Sequence, residues 1–300
     1  MNKRTAIGWT VIALGVIGLI GAGVTYFKPQ NVIAQKVAGN LLSKLDHLGE
    51  HIGEDAGSNL GSTVTDWSSE GIDTKSEEGD LALDVQNAKQ LLVTSEVGTI
   101  HIVGSTGTAD GNLHYKKGYQ GNDNEGAQAL QDIRIDVKRD GDTVRVNVHN
   151  SKSGWLNLMH ADLDISIPDA LAVEVSNKVG AIKTENLQNT VNATSDVGSI
   201  HIQGYKGSCE AHSKTGQLEI SGGQDIQSIQ ADTNVGRVRL SLPASASLSV
   251  TASTNTGRVT NALTLADAKI EKQRVSGRLG DGKGKVSLRS NVGSIEITQE

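Results

Sequence analysis

Few residues in this chain are spaced to do chemistry, and each is best read with its alternative beside it. Gly277-Arg278-Leu279-Gly280-Asp281-Gly282-Lys283-Gly284 approaches a phosphate-cradling P-loop, but glycine follows the lysine where a Ser or Thr is required, and strand-like sequence surrounds it. It reads as a turn. His101 and His201, with Lys183 at an equivalent position, read as side chains on a solvated strand face, a metal site being the minor alternative. Cys209 falls in an apolar column and reads as a buried small hydrophobe rather than a nucleophile. Asp162 and Asp164 share a strand face, with no second acidic pair in line to complete a hydrolase or lyase site. No catalytic residue, metal site or cofactor is expected.

Charge is the exception. Without residues 1–28 the chain holds 25 basic against 34 acidic residues, and residues 233–300 alone hold ten basic and five acidic. The C-terminal part is thus positive and the part before it strongly negative. Arg237, Arg258 and Arg278 each follow the glycine of one copy of a repeat. If the copies stack in register, these arginines lie ~4.8 Å apart in one outward column. Like charges at that spacing repel unless an anion neutralises them, and guanidinium suits bidentate phosphate contacts. With Arg239 beside them they form the candidate polyanion site, for a wall polymer or a lipid phosphate. The alternative is that they fan into water or pair with acids of the return loops.

The repeat that positions these residues is typified by Ser195-Asp196-Val197-Gly198-Ser199-Ile200-His201-Ile202. Copies centre on Gly98, Gly180, Gly198, Gly216, Gly236, Gly257, a degenerate one at Gly277, and Gly293, at steps of 16 to 21 residues from Gly180 onward. A period near twenty is that of a solenoid whose units must stack to bury their apolar faces. Seven residues before the glycine stand Leu91, Val173, Val191, Cys209, Ile229, Val250, Ile270 and Val286; two after it stand Ile or Val or Leu in every copy. Five before it stand Val93, Val175, Ala193, Ala211, Ala231 and Ala252, mostly small, with a break at Lys272 and a return to an apolar residue at Leu288. Three before it stand Ser, Thr or Asn, except at Arg274, placed to bond the turn's backbone. Each unit reads as strand, glycine turn, strand and return loop. With 35 Gly, 3 Pro and 3% aromatic residues, composition favours stacked β coils over a large globular core. The single cysteine excludes an internal disulfide.

Residues 6–27 carry no charge and would span ~33 Å as a helix, one hydrocarbon core thick. They predict a transmembrane helix after a cytoplasmic tail of residues 1–5, with everything downstream extracytoplasmic. The rival is a signal peptide cleaved near Val32-Ile33-Ala34. Residues 28–66 predict an amphipathic juxtamembrane helix and residues 67–80 a linker, leaving 81–300 as the repeat domain. Between the first two copies, Ile133, Ile135 and Val137, the turn Arg139-Asp140-Gly141-Asp142, and Val144, Val146 and Val148 predict a β-hairpin. Residues 104–127 read as a long mobile loop.

Leu163-Asp164-Ile165-Ser166-Ile167-Pro168, then Leu171-Ala172-Val173-Glu174-Val175 and the ladder of Gly-x-Ile-x-Ile copies, resemble the bacterial domain-of-unknown-function family with β-strand repeats labelled "putative adhesin". The resemblance covers residues 80–300 and implies a β-solenoid in envelope-associated proteins, with no catalytic residues to carry over. The expectation is therefore an all-β, single-pass membrane protein whose solenoid is a non-catalytic binding or sensing module of the cell envelope. No nucleic-acid partner is expected. A second class of reading is a scaffold that assembles end to end, since the last copy closes at Ile295 and Ile297 with no cap in the sequence. A polysaccharide-acting enzyme is the weakest, because its convergent carboxylates are missing from the outward columns.

Overall fold

The computed structural model describes residues 73–107, 109–121, 123–150 and 159–300. The expected transmembrane and juxtamembrane segments lie outside the described residues, and among those described no helix is long and apolar enough to cross a membrane. The fold is all-β with one short helix. In chain order come β1 (Lys75–Leu83), β2 (Gln90–Val97), β3 (Ile100–Ser105), β4 (Gly111–Tyr119), α1 (Asp123–Asp132), β5 (Ile133–Asp140) and β6 (Thr143–Asn150). Then follow β7 (Met159–Pro168), β8 (Ala172–Val179), β9 (Ile182–Glu185), β10 (Val191–Val197), β11 (Ile200–Thr215), β12 (Leu218–Val235) and β13 (Val238–Leu242). The last are β14 (Leu248–Thr256), β15 (Val259–Asn261), β16 (Ala266–Glu271), β17 (Arg274–Leu279), β18 (Gly284–Val292) and β19 (Ile295–Gln299).

Strands before the glycines pair in parallel as one ladder and strands after them as another, giving a solenoid-like stack of coils. The pre-glycine ladder runs β6, β2, β8, β10, the end of β11, the end of β12, β18 and β14. The post-glycine ladder runs β7, β3, β9, the start of β11, the start of β12, β13, β19 and β15. Their inward faces supply the core: Leu91, Val191 and Cys209 from the first and Ile100, Ile200 and Leu218 from the second are all fully buried. The fifth residue before the glycine is also buried in every true copy, from Val93 through the small alanines to Leu288.

Glycine is required at the turns by packing as well as by conformation. A Cβ on Gly216, at φ +153°, would stand 1.8 Å from the carbonyl oxygen of Gly198 in the neighbouring coil. In some coils the polar residue three before the glycine bonds that same neighbouring carbonyl, Thr254 also bonding Thr256 O in its own turn, whereas Ser95, Ser195 and Thr233 make no such bond. Asn177 Nδ2 donates to Gly98 O at 2.7 Å, Thr254 Oγ1 to Gly293 O at 2.9 Å and Ser290 Oγ to Gly236 O at 3.1 Å. These bonds clip coil to coil along the turn.

Three expectations are corrected. Gly277 is no turn glycine: β17 runs antiparallel to β14, with Val250 opposite Gly277, and β16–β17 form a hairpin on that edge. Ile270, expected inward, is consequently 65% exposed. The last copy is not the end of the stack, because β18 and β19 lie between the coils of Gly236 and Gly257. The chain reverses through Gly280 and Gly282, both at positive φ, and enters β18 on the far side of β14 from β17. An end-to-end edge at Ile295 and Ile297 therefore does not exist. Finally, the stretch read as a loop holds β4, antiparallel to β1 and β7, and the first half of α1. The β5–β6 hairpin stands as expected, with Asp140 opposite Thr143 around Gly141-Asp142. β1 starts at Lys75, inside the expected linker; its alternate charged side chains sit on an exposed edge and give no apolar period.

Candidate functional site

Because the coils stack in register, each outward position becomes a column running the length of the domain. On the post-glycine sheet the column three after the glycine joins Asp80, His114, Asp164, His101, Lys183, His201, Glu219, Arg239 and Glu296 in spatial order. His114 Nδ1 stands 3.1 Å from Asp80, His101 Nδ1 3.1 Å from Asp164 and His201 Nδ1 3.4 Å from Glu219. Arg239 is held between Glu296 at 3.1 Å and Glu219 at 3.7 Å. Lys183 pairs with Glu185. That ammonium, against the cost of desolvation, holds the Glu185 carboxyl below the usual carboxylate range. His101 and His201 thus flank Lys183 as the sequence implied, in a ladder whose charges are largely satisfied from within. Asp162 and Asp164 share one face of β7, but Asp162 Oδ1 accepts from the Thr99 N–H at 2.7 Å while Asp164 faces His101.

The pre-glycine sheet carries the other face. Two positions before the glycine stand Glu96, Lys178, Asp196, Lys214, Asn234, Asn291 and Asn255. Lys178 meets Glu96 at 2.6 Å and Lys214 meets Asp196 at 2.8 Å, and then the asparagines continue as an amide ladder at 3.1 Å per step. Beside them, four positions before the glycine, lie Thr194, His212, Asp232 and Arg289. His212 Nδ1 stands 3.3 Å from Asp232. Between the two columns is an open depression of about 400 Å³, lined by Thr194, Asp196, His212, Lys214, Asp232, Asn234, Arg289 and Asn291. It can hold hydrated polar groups against amides, one imidazole, two cations and two carboxylates.

The three arginines expected in one column, Arg237, Arg258 and Arg278, are not adjacent, and Arg239 does not stand beside them as one site. Ser294 stands between Arg237 and Arg258 because the last coil is inserted there, and Arg237 Nε donates to Ser294 Oγ at 3.3 Å. Arg239 belongs to the acid-rich ladder of the opposite sheet. Arg278 lies on β17, on the pre-glycine sheet, opposite Ser249 and paired with Asp267. The structure instead brings Arg278 near Arg274, Lys285 and Arg289, three residues that sequence reasoning passed over. The signal was present: each sits at an outward alternate position of a strand. It could not be used without knowing which strands are neighbours.

Cys209 is buried, and burial pushes its thiol up from the ordinary range. The Gly277–Gly284 segment leads into strand β18 and not into a helix, so its glycines make a chain reversal. Among the described residues no cluster of three or more His, Cys, Asp or Glu is arranged to hold a metal ion.

Residues 57–298 match the model of the family described as Toastrack DUF4097. Among solved structures, a "putative cell adhesion protein" from Clostridium sporogenes is 17% identical, with 75% of this chain and 100% of that chain covered and a TM-score of 0.44. A "putative adhesin" from Bacteroides fragilis is 16% identical, covering 76% and 99% of the two chains, with a TM-score of 0.38. No curated protein matches the sequence.

Proposed function

The chain belongs to the Toastrack DUF4097 family, and from that footing we propose that it is a non-catalytic binding module of the bacterial cell envelope. In this reading residues 6–27 anchor it in the membrane, the stacked domain is extracytoplasmic, and it engages an anionic envelope polymer or lipid phosphate. The observation that carries the reading is the segregation of charge along the stack. Acid–base pairs occupy the outward columns of the earlier coils, such as Glu96 with Lys178 and Asp196 with Lys214. At the coils of β14, β17 and β18 the same face is basic and hydroxylic. A rigid face of fixed spacing suits recognition of a repeating ligand. Co-sedimentation of the full chain with isolated cell walls across a salt series tests it: salt-sensitive retention is expected, and no retention at low salt refutes it. Protease shaving of intact cells tests the orientation, the expected result being loss of the domain without lysis.

One observation favours assembly as a second reading. The edge strand β16 is exposed along its whole length and carries Ile270 at 65% exposure. An unpaired edge of this kind can accept a strand from another chain. Sedimentation velocity over a wide concentration range, showing a single invariant monomer mass, would remove it.

A further inference from the structure

We propose that the outer face of β17, β14 and β18 is a binding site for a linear, phosphate-bearing polyanion. This deepens the binding-module reading and takes its place in the protein from it. β14 lies in the middle and alternates strictly, with Leu248, Val250, Ala252 and Thr254 buried and Ser249, Thr251 and Ser253 outward. On one side β18 runs parallel, setting Lys285 beside Ser249, Ser287 beside Thr251 and Arg289 beside Ser253. On the other side β17 runs antiparallel, setting Arg278 beside Ser249, Ser276 beside Thr251 and Arg274 beside Ser253. The result is a flat grid with a cation at each of four corners and hydroxyls at every other point. Neighbouring strands lie ~4.8 Å apart and four residues span ~13 Å, so the corners mark a rectangle of roughly 10 by 13 Å.

These cations are kept available. Lys285, Arg289 and Arg274 are exposed and make no ion pair among the described residues, whereas Arg278 pairs with Asp267 at the rim. The acids opposite the free corners do not neutralise them. Asp232, in register with Arg289, faces His212 and accepts from Gln230 Nε2 at 2.9 Å, and Glu271, in register with Arg274, forms no ion pair with it. Like charges gathered on a fixed sheet are relieved by an anion that spans them. Guanidinium forks and serine or threonine hydroxyls are the donors that phosphate oxygens accept from. The depression beside Arg289, lined by Asn234 and Asn291 but also by Asp232 and the Lys214–Asp196 pair, bounds the basic grid on the β12 side. A polymer fits this face better than a bilayer does, because none of the nine outward residues is apolar and nothing can enter the acyl region.

The test uses the full chain in a neutral detergent and fluorescently labelled inorganic polyphosphate, read by anisotropy over a sodium chloride series. Four neutralised phosphates predict a log–log salt slope of about −3, taking ~0.7 per contact on a flexible chain. Arg274→Gln with Arg289→Gln should halve that slope and weaken binding at low salt at least tenfold. Lys75→Gln with Lys138→Gln removes the same charge from exposed positions elsewhere and should leave both unchanged. Equal binding by wild type and the arginine variant, or equal loss in the lysine control, overturns the site. A second arm with vesicles of phosphatidylglycerol in phosphatidylcholine separates the sources: vesicle binding that exceeds polymer binding and survives in the arginine variant overturns the choice of a polymer. Cell walls retained equally by wild type and arginine variant would remove this site while leaving the binding-module reading in place. Polyphosphate binding that needs the arginines, without wall retention, would keep the site and remove the broader reading.

Discussion

Gly216→Ala isolates what the glycine row does. Gly216 has φ +153°, and an added Cβ would lie 1.8 Å from Gly198 O and 2.6 Å from its carbonyl carbon. No relaxed contact is that short, so the two coils must part by about 1.5 Å, the difference from an ordinary carbon–oxygen contact. Parting them stretches the Gly198 N–H to Thr215 O bond at 2.9 Å, the Ile200 N–H to Gln217 O bond at 2.8 Å and the Ser213 Oγ contact to Gly198 O at 3.4 Å. A glycine-only backbone conformation costs ~1–3 kcal/mol in another residue, and overpacking a rigid site costs ~1–3 kcal/mol more. The expected loss is therefore about 2–6 kcal/mol. Gly141→Ala is the control, because Gly141 has φ +57° in the β5–β6 turn with nothing within 4 Å of the added Cβ. Only the left-handed penalty of ~1–2 kcal/mol applies there. Guanidinium unfolding followed by circular dichroism on the full chain, with m-values compared to check that the transition is unchanged, measures both. If Gly216→Ala costs no more than Gly141→Ala, the close approach of neighbouring turns does not govern the stack and the reasoning fails.

Asn177→Ala removes the 2.7 Å bond to the partly buried Gly98 O; a loss of about 1–3 kcal/mol is expected in the same assay, and a neutral result would discard the coil-to-coil clip. Cys209 should resist iodoacetamide at pH 8 in the native chain and react fully in denaturant, since it is buried and its thiol is held protonated; rapid native labelling would contradict the assigned inward column. Burial of Glu96 opposes its charge, but Lys178 at 2.6 Å and the Asn150 N–H outweigh that and lower its pKa. Its contribution is therefore present above the unfolded carboxylate value and lost as pH falls through the lower folded one; Lys178→Met should reduce stability at pH 7 and flatten the acid limb, and an unchanged pH profile would refute the pairing.

Much of the fold is legible in the chain because a solenoid-like stack makes each column a local statement. The seventh and fifth residues before the glycine, the second after it and the glycine itself recur within single copies. Their burial at Leu91, Val93, Ile100 and their counterparts follows from the two-residue period of a strand. The β5–β6 hairpin was equally local, written in alternation and a Gly-Asp turn. β1 was hidden because an edge strand with charges on its exposed positions has no apolar period to read. The basic face was half legible: excess positive charge in residues 233–300 pointed to the part of the chain that carries it, and Arg278 was named. Its neighbours could not be.

What the sequence determined, then, is the content of each rung: which residues face in, where the chain turns, and that identical rungs pack one on another. What only the tertiary structure decided is the order of the rungs. Parallel coils with the same columns are nearly interchangeable as partners, so nothing local says that β18 and β19 enter between the coils of Gly236 and Gly257, or that β17 turns back along β14. Those two choices depend on contacts between residues tens of positions apart. They separate Arg237 from Arg258 and gather Arg274, Arg278, Lys285 and Arg289 around five hydroxyls on one face.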